Sequence, residues 1–160
     1  MNRLAMTTRI DFTQVAPQAA AAMFGLERYL HGCGLEASLL NLVKLRASQI
    51  NGCAYCLDMH AKEARAAGET EQRIYVLNGW RQAPFYSARE RAAMAWTEAL
   101  TLVSRDQVPD PVYDAAREQF SERELVDLSL AVVAINGWNR LVIGLRSAVP
   151  GSYRVGMLKQ

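Results

Sequence analysis

Two short segments, Ser87-Ala-Arg-Glu90 and Ser121-Glu-Arg-Glu124, constrain the fold of this chain more than any other feature. Each is a capping box. The serine hydroxyl accepts the backbone N–H three residues on, the glutamate carboxylate accepts the serine N–H, and two orphan donors of a helix's first turn are satisfied together. Other helix signals surround them. Pro17 suits a first turn, Thr70 can cap, Asp110-Pro111 reads as an N-cap followed by proline at the first helical position, and Gly68 is a stop. No stretch alternates convincingly as a strand would, and the two Asn-Gly pairs fall between helical patterns. The expected fold is all-α: a single-domain helical bundle of about six to seven helices that associates into oligomers.

The helices are expected at about Pro17–Leu30, Glu36–Ile50, from the cysteine pair to Gly68, and from Thr70 to near Trp80. A further helix follows Ser87, with Ala92, Trp96, Ala99, Leu100 and Val103 as one stripe, and others follow Asp110 and Ser121. Three divisions follow: an N-terminal arm (1–16), a helical domain (17–150), and a C-terminal tail (151–160) that is loose or docks on a neighbouring subunit. The apolar run from Leu125 to Val149 is interrupted by Asp127, Asn136, Asn139, Arg140 and Arg146. Charges inside a bilayer are costly, so the run reads as a central core helix rather than a membrane span.

Bulk composition narrows the function classes. In 160 residues, 51% are apolar and the net charge is only +2, with no basic block interleaved with aromatics. That argues against nucleic acid and acidic membrane surfaces as partners. The first twelve residues show no apolar signal region, and three cysteines are too few for a secreted disulfide framework. A cytoplasmic protein is expected.

The chemistry concentrates at Cys53-Ala-Tyr-Cys56, with His60 four residues later. On a helix these three side chains fall within an arc of about 60°, so they can line one cleft. A helix N-terminus favours thiolate, which points to Cys53 as the attacking sulfur. The i,i+4 spacing from a base points to Cys56 instead. Spacing alone leaves both open. It also leaves open a metal site, to which Cys33 or His31 would have to add a fourth ligand, and a purely structural pair of buried cysteines. Ile50-Asn51-Gly52-Cys53 has an echo in Ile135-Asn136-Gly137-Trp138, a possible diverged repeat.

The segment LVKLRASQINGCAYCLDMHAKEARAAGE (42–69), with WRQAPFYSARERAAMAW (80–96) and AINGWNR (134–140), resembles the alkylhydroperoxidase D (AhpD)-like branch of the carboxymuconolactone decarboxylase superfamily. The resemblance implies a thiol-dependent peroxidase, an antioxidant alkyl hydroperoxide reductase. Cys56 would be the peroxidatic cysteine, Cys53 the resolving one and His60 the proton relay. It implies no metal or organic cofactor, a hydroperoxide substrate, an external dithiol reductant (a lipoyl or thioredoxin-like protein) and a homo-trimer or homo-hexamer. The family's relay glutamate falls at Asn41, which cannot shuttle a proton at neutral pH, and Glu36 is a stand-in only if its helix faces the site differently. Tyr55 stands where some members carry histidine. The alternatives are a decarboxylase-like lyase on the same fold and a non-catalytic metal-binding or assembly module.

Among the other polar and aromatic residues, Trp80, Trp96 and Trp138 read as core or interface anchors. Asn136, Asn139 and Arg140 need partners in an apolar helix and are expected to brace the motif helix or a subunit contact. Cys33 reads as a spectator thiol and His31 as a helix-end residue.

Overall fold

The computed structural model describes residues 6–157, which are helical with no strand among them. In chain order the elements are α1 (Phe12–Val15), α2 (Pro17–His31), α3 (Ala37–Asn51), α4 (Ala54–Ala66), α5 (Glu71–Tyr75), α6 (Ala88–Thr101), α7 (Val103–Asp106), α8 (Asp110–Gln119) and α9 (Glu122–Leu145). A 3-10 turn at Leu77–Gly79 follows α5. The all-α expectation holds. The elements beyond six or seven are α1 and α7, four-residue turns too short to carry a helical period.

Both capping boxes form as their sequences dictate, at the starts of α6 and α9. Thr70 caps α5 through Arg73 N–H, but the helix ends at Tyr75 and the 3-10 turn carries the chain on toward Trp80. Asp110 is not the N-cap of α8. Pro109 takes that place without a side-chain cap, and Asp110 becomes the first helical residue, where its negative charge suits the helix dipole.

The α3–α4 hairpin positions the site. At the end of α3, Gly52 sits in the left-handed region (φ 69°). Gly52 N–H donates to Gln49 O (3.3 Å) and Cys53 N–H to Ser48 O (3.0 Å). These two bonds are the Schellman pattern, which consumes orphan carbonyls while reversing the chain. Cys53 is thereby delivered in extended backbone as the N-cap of α4. The same pattern closes α4, with Gly68 at φ 95° and Glu69 N–H on Ala64 O (2.9 Å).

α3 packs on α4, α6 and α9, so it forms the spine of the domain. α9 is long and apolar enough to cross a membrane by length and composition. One face of it packs into the protein core, with Leu128, Ala131, Val132 and Ile135 buried against the other helices. Its buried Asp127 accepts from the Tyr29 hydroxyl (2.7 Å) and from Arg123 (3.3 Å), so the charge is partnered rather than stranded. The three tryptophans are packed into the fold, and each indole N–H finds an acceptor: Glu98 for Trp80, Ser129 for Trp96 and Glu27 for Trp138.

The described parts of both flanking segments are tied down. Arg9 and Ile10 donate their backbone N–H groups to Leu145 O, and the Arg9 guanidinium donates to Gly144 O, which caps the carbonyl end of α9. The described part of the tail is not loose. Tyr153 is buried on α4, its hydroxyl donates to Glu63, and its carbonyl accepts from Lys62 (3.0 Å). Gly151 N–H donates to Asp58 (3.2 Å). The cause is local: Asp58, Lys62 and Glu63 of α4 offer donors and acceptors matched to the tail.

Candidate active site

Cys53 and Cys56 are free thiols, 1% and 2% exposed, in a small apolar cluster with Ala47 of α3 and Ile135 and Val142 of α9. Tyr55 and Ala148 pack against that cluster.

The two thiols act as a pair. A thiolate on Cys53 is favoured first by the Cys56 thiol, then by the backbone N–H of Cys56, the Asn139 carboxamide and the backbone N–H of Tyr55. Burial opposes these but does not cancel them, and the Cys53 thiol is lowered to about 7. Cys56 is pushed up, because its proton serves Cys53, because it is buried, and because a second negative charge beside the first is disfavoured. One proton therefore leaves the pair readily and the second does not.

His60, 7% exposed on the same face of α4, is pushed down to about 3 by burial and then by the positive charge of Lys44. Its ring makes no hydrogen bond to another described residue. The neutral imidazole is therefore the favoured form. Lys44 is held by Glu27 (2.6 Å), whose other oxygen accepts from Trp138 (3.0 Å). The charged group beside the imidazole is thus an ammonium, with a carboxylate behind it.

The remaining expected residues fall elsewhere. Asn41 lines a cavity of about 140 Å³ with Ser38, Ala64, Ala67, Gly68 and Glu69, toward the far end of the hairpin from the sulfurs. Glu36 is the N-cap residue of α3, ion-paired with Arg89 (2.9 Å), and does not join the site. Cys33 packs against the main core and His31 ends α2 in solvent. Neither is a fourth ligand, and among the described residues no three His, Cys, Asp or Glu side chains are grouped to hold a metal ion.

Three asparagines outside the Cys–Cys–His spacing join the site, and Asn136 and Asn139 find the partners that their place in an apolar helix requires. Asn139 is fully buried beside the sulfurs, its Oδ1 accepts from Asn51 (2.8 Å) and its Nδ2 donates to Ser48 (3.1 Å). Asn51 also donates to Asn136 Oδ1 (2.9 Å). The sequence did carry a signal for them: the echoed Asn-Gly pairs, and asparagines in an apolar helix.

An AhpD-like helical fold around a buried pair of free thiols is the class that these elements define. The chain belongs to the Carboxymuconolactone decarboxylase family, whose model matches residues 17–99. It is 41% identical to Uncharacterized protein YdfG of Bacillus subtilis (strain 168) over 140 residues, 88% of this chain and 95% of that protein. Among solved structures it is similar to ATU0492 of Agrobacterium tumefaciens, a protein of unknown function proposed to be an antioxidant defence protein AhpD. That match has a TM-score of 0.87 and 43% identity, and covers 90% of this chain and 99% of the other. The debrominase Bmp8 shares the fold at a TM-score of 0.75 and 18% identity, over 87% of this chain and 75% of that one.

Proposed function

We propose that the protein is a thiol-dependent peroxidase, a dithiol oxidoreductase that reduces hydroperoxides through Cys53 and Cys56. The observation that carries the reading is the buried thiol pair, one member of which is lowered to about 7 and so ionises near neutral pH. In the first step a cysteine thiolate attacks the hydroperoxide. The O–O bond breaks, an S–O bond forms, and the departing alkoxide takes a proton through His60 and leaves as alcohol. The second sulfur then attacks the sulfenic acid, an S–S bond forms and water leaves. An external dithiol, a lipoyl group or a thioredoxin-like protein in a reducing cytoplasm, accepts the oxidation and returns the thiols. Neither step requires a metal or organic cofactor. Self-association as a trimer or hexamer is part of the proposal, supported by the apolar side chains Val126, Val133 and Ile143 that α9 exposes.

The family resemblance gives the attack to Cys56 and the resolution to Cys53. In the resting pair the more acidic thiol is Cys53, so attack by Cys56 first requires its proton to pass to Cys53. That acidity favours a second reading, in which Cys53 attacks and Cys56 resolves. Trapping the sulfenic acid in Cys53→Ser and Cys56→Ser after a hydroperoxide pulse separates the two. The first reading expects it only in Cys53→Ser and the second only in Cys56→Ser. Its absence from both would sink the peroxidase proposal.

A further inference from the structure

Three residues of α9 face the hairpin at successive helical turns: Ile135, Asn139 and Val142. Ile135 and Val142 pack directly with Cys53 and Cys56, so Asn139 lies between two side chains already in contact with the thiol cluster. It is 0% exposed. An apolar residue would fill this position without the cost of burying a carboxamide. The amide must therefore be held by partners, and those partners fix how it points.

Asn51 sets the orientation. Its Nδ2 donates both to Asn139 Oδ1 (2.8 Å) and to Asn136 Oδ1 (2.9 Å). Turning the Asn139 amide over would place two N–H donors against each other. With Oδ1 thus assigned toward Asn51, Nδ2 has two hydrogens to place. One goes to Ser48 Oγ (3.1 Å), the single oxygen acceptor it has among the described residues. The other has no oxygen acceptor among the described residues and lies by the cluster that Ile135 and Val142 form with Cys53 and Cys56, where the carboxamide favours the anionic form of both thiols. Asn136 is anchored in turn, with Nδ2 on Thr101 Oγ1 (3.0 Å) and Val132 O (2.9 Å). The echo in the sequence thereby has a physical meaning. Its two asparagines, Asn51 and Asn136, bond to each other across the hairpin and α9, and the clasp holds Asn139 in place.

A neutral thiol is a weak hydrogen-bond acceptor and a thiolate a strong one. The second N–H is therefore poorly matched in the resting dithiol and well matched once negative charge develops on sulfur. A preorganised donor of that kind lowers the barrier to a step that builds the charge. We propose that Asn139 is a catalytic residue of the dithiol centre, donating its free amide N–H to the sulfur that carries negative charge. It does so when a thiol ionises for attack, and again when an external dithiol attacks the disulfide, its new S–S bond forms, and the displaced cysteine leaves as thiolate. The inference rests on the dithiol reading above.

The test is a thiolate titration by ultraviolet absorbance, in a Cys33→Ser background so that only the motif thiols report. Asn139→Ala should raise the midpoint of the first ionisation by about one unit, and Asn139→Asp by more, because it adds an anion to the lost donor. Ser48→Ala, which leaves the donor in place, should move the midpoint by well under half of that. An unchanged midpoint in an Asn139 variant that unfolds cooperatively would overturn the proposal. Should neither Asn139 variant fold, the side-chain amide proton resonances of Asn139 in the Cys33→Ser protein serve instead. One of the two should move downfield as the pair ionises, and a pair of resonances indifferent to ionisation would overturn it. Neither readout requires peroxide turnover. A protein that shifts as expected yet consumes no hydroperoxide keeps Asn139 in its role and rejects the peroxidase proposal alone.

Discussion

Replacing His60 with leucine should change how stability depends on pH more than how large it is at neutral pH. In the folded protein the imidazole is neutral and lowered to about 3, and its ordinary value is 6.5. Below pH 6.5 the unfolded chain takes up a proton there, while the folded chain does not until about pH 3. The group's full contribution is therefore present above 6.5 and is lost as the pH falls toward 3, at about 1.4 kcal/mol per pH unit. Between about pH 7.5 and about pH 4.5 the loss sums to roughly 3 kcal/mol. Carboxylates titrate in the same window, but they are common to wild type and variant and cancel in the difference. The assay is urea unfolding at several pH values across that range. Wild type should lose roughly 3 kcal/mol more than His60→Leu on acidification. Parallel stability curves would refute the reasoning, because they would mean that His60 titrates normally in the folded state and could hold a proton at rest.

The neighbours of the site give further expectations. Lys44→Met removes the cation that opposes imidazolium and leaves Glu27 behind it, so the His60 pKa read by NMR should rise, and a fall would contradict the assignment. Gly52→Ala meets no atom within 4 Å, so its cost is backbone strain at φ 69°, about 1–2 kcal/mol in urea unfolding. Tyr153→Ala should free the tail from α4 and accelerate alkylation of the motif thiols by a bulky reagent severalfold, whereas an unchanged rate would mean that access does not run past the tail.

The helical class was legible because its signals are local. Ser87, Ser121 and Thr70 act on backbone within three residues of themselves, and Gly52 and Gly68 act within five, so no tertiary information was needed. The short turns α1 and α7 carried no period and were invisible. The sulfur–imidazole face was legible for the same reason, since one helix spaces Cys56 and His60. What surrounds it was not. Lys44 comes from α3, Glu27 from α2 and Asn139 from α9, and their convergence depends on how helices pack. Helical spacing also cannot give the burial that lowers His60, which is why a base on the right face turns out to be a poor proton store. The tail's docking depends on the fit of Tyr153 to α4, a long-range contact with no local mark.

On the proposed function, Cys53 and Cys56 form a redox couple driven by hydroperoxide. The direct measurement is mass spectrometry of fully reduced protein after one equivalent of an organic hydroperoxide, with peptide mapping of the product. The account predicts loss of two hydrogens per chain, a Cys53–Cys56 crosslink, Cys33 still alkylatable, and one alcohol formed per disulfide. Unchanged free thiols under those conditions, or oxidation confined to Cys33, would contradict it.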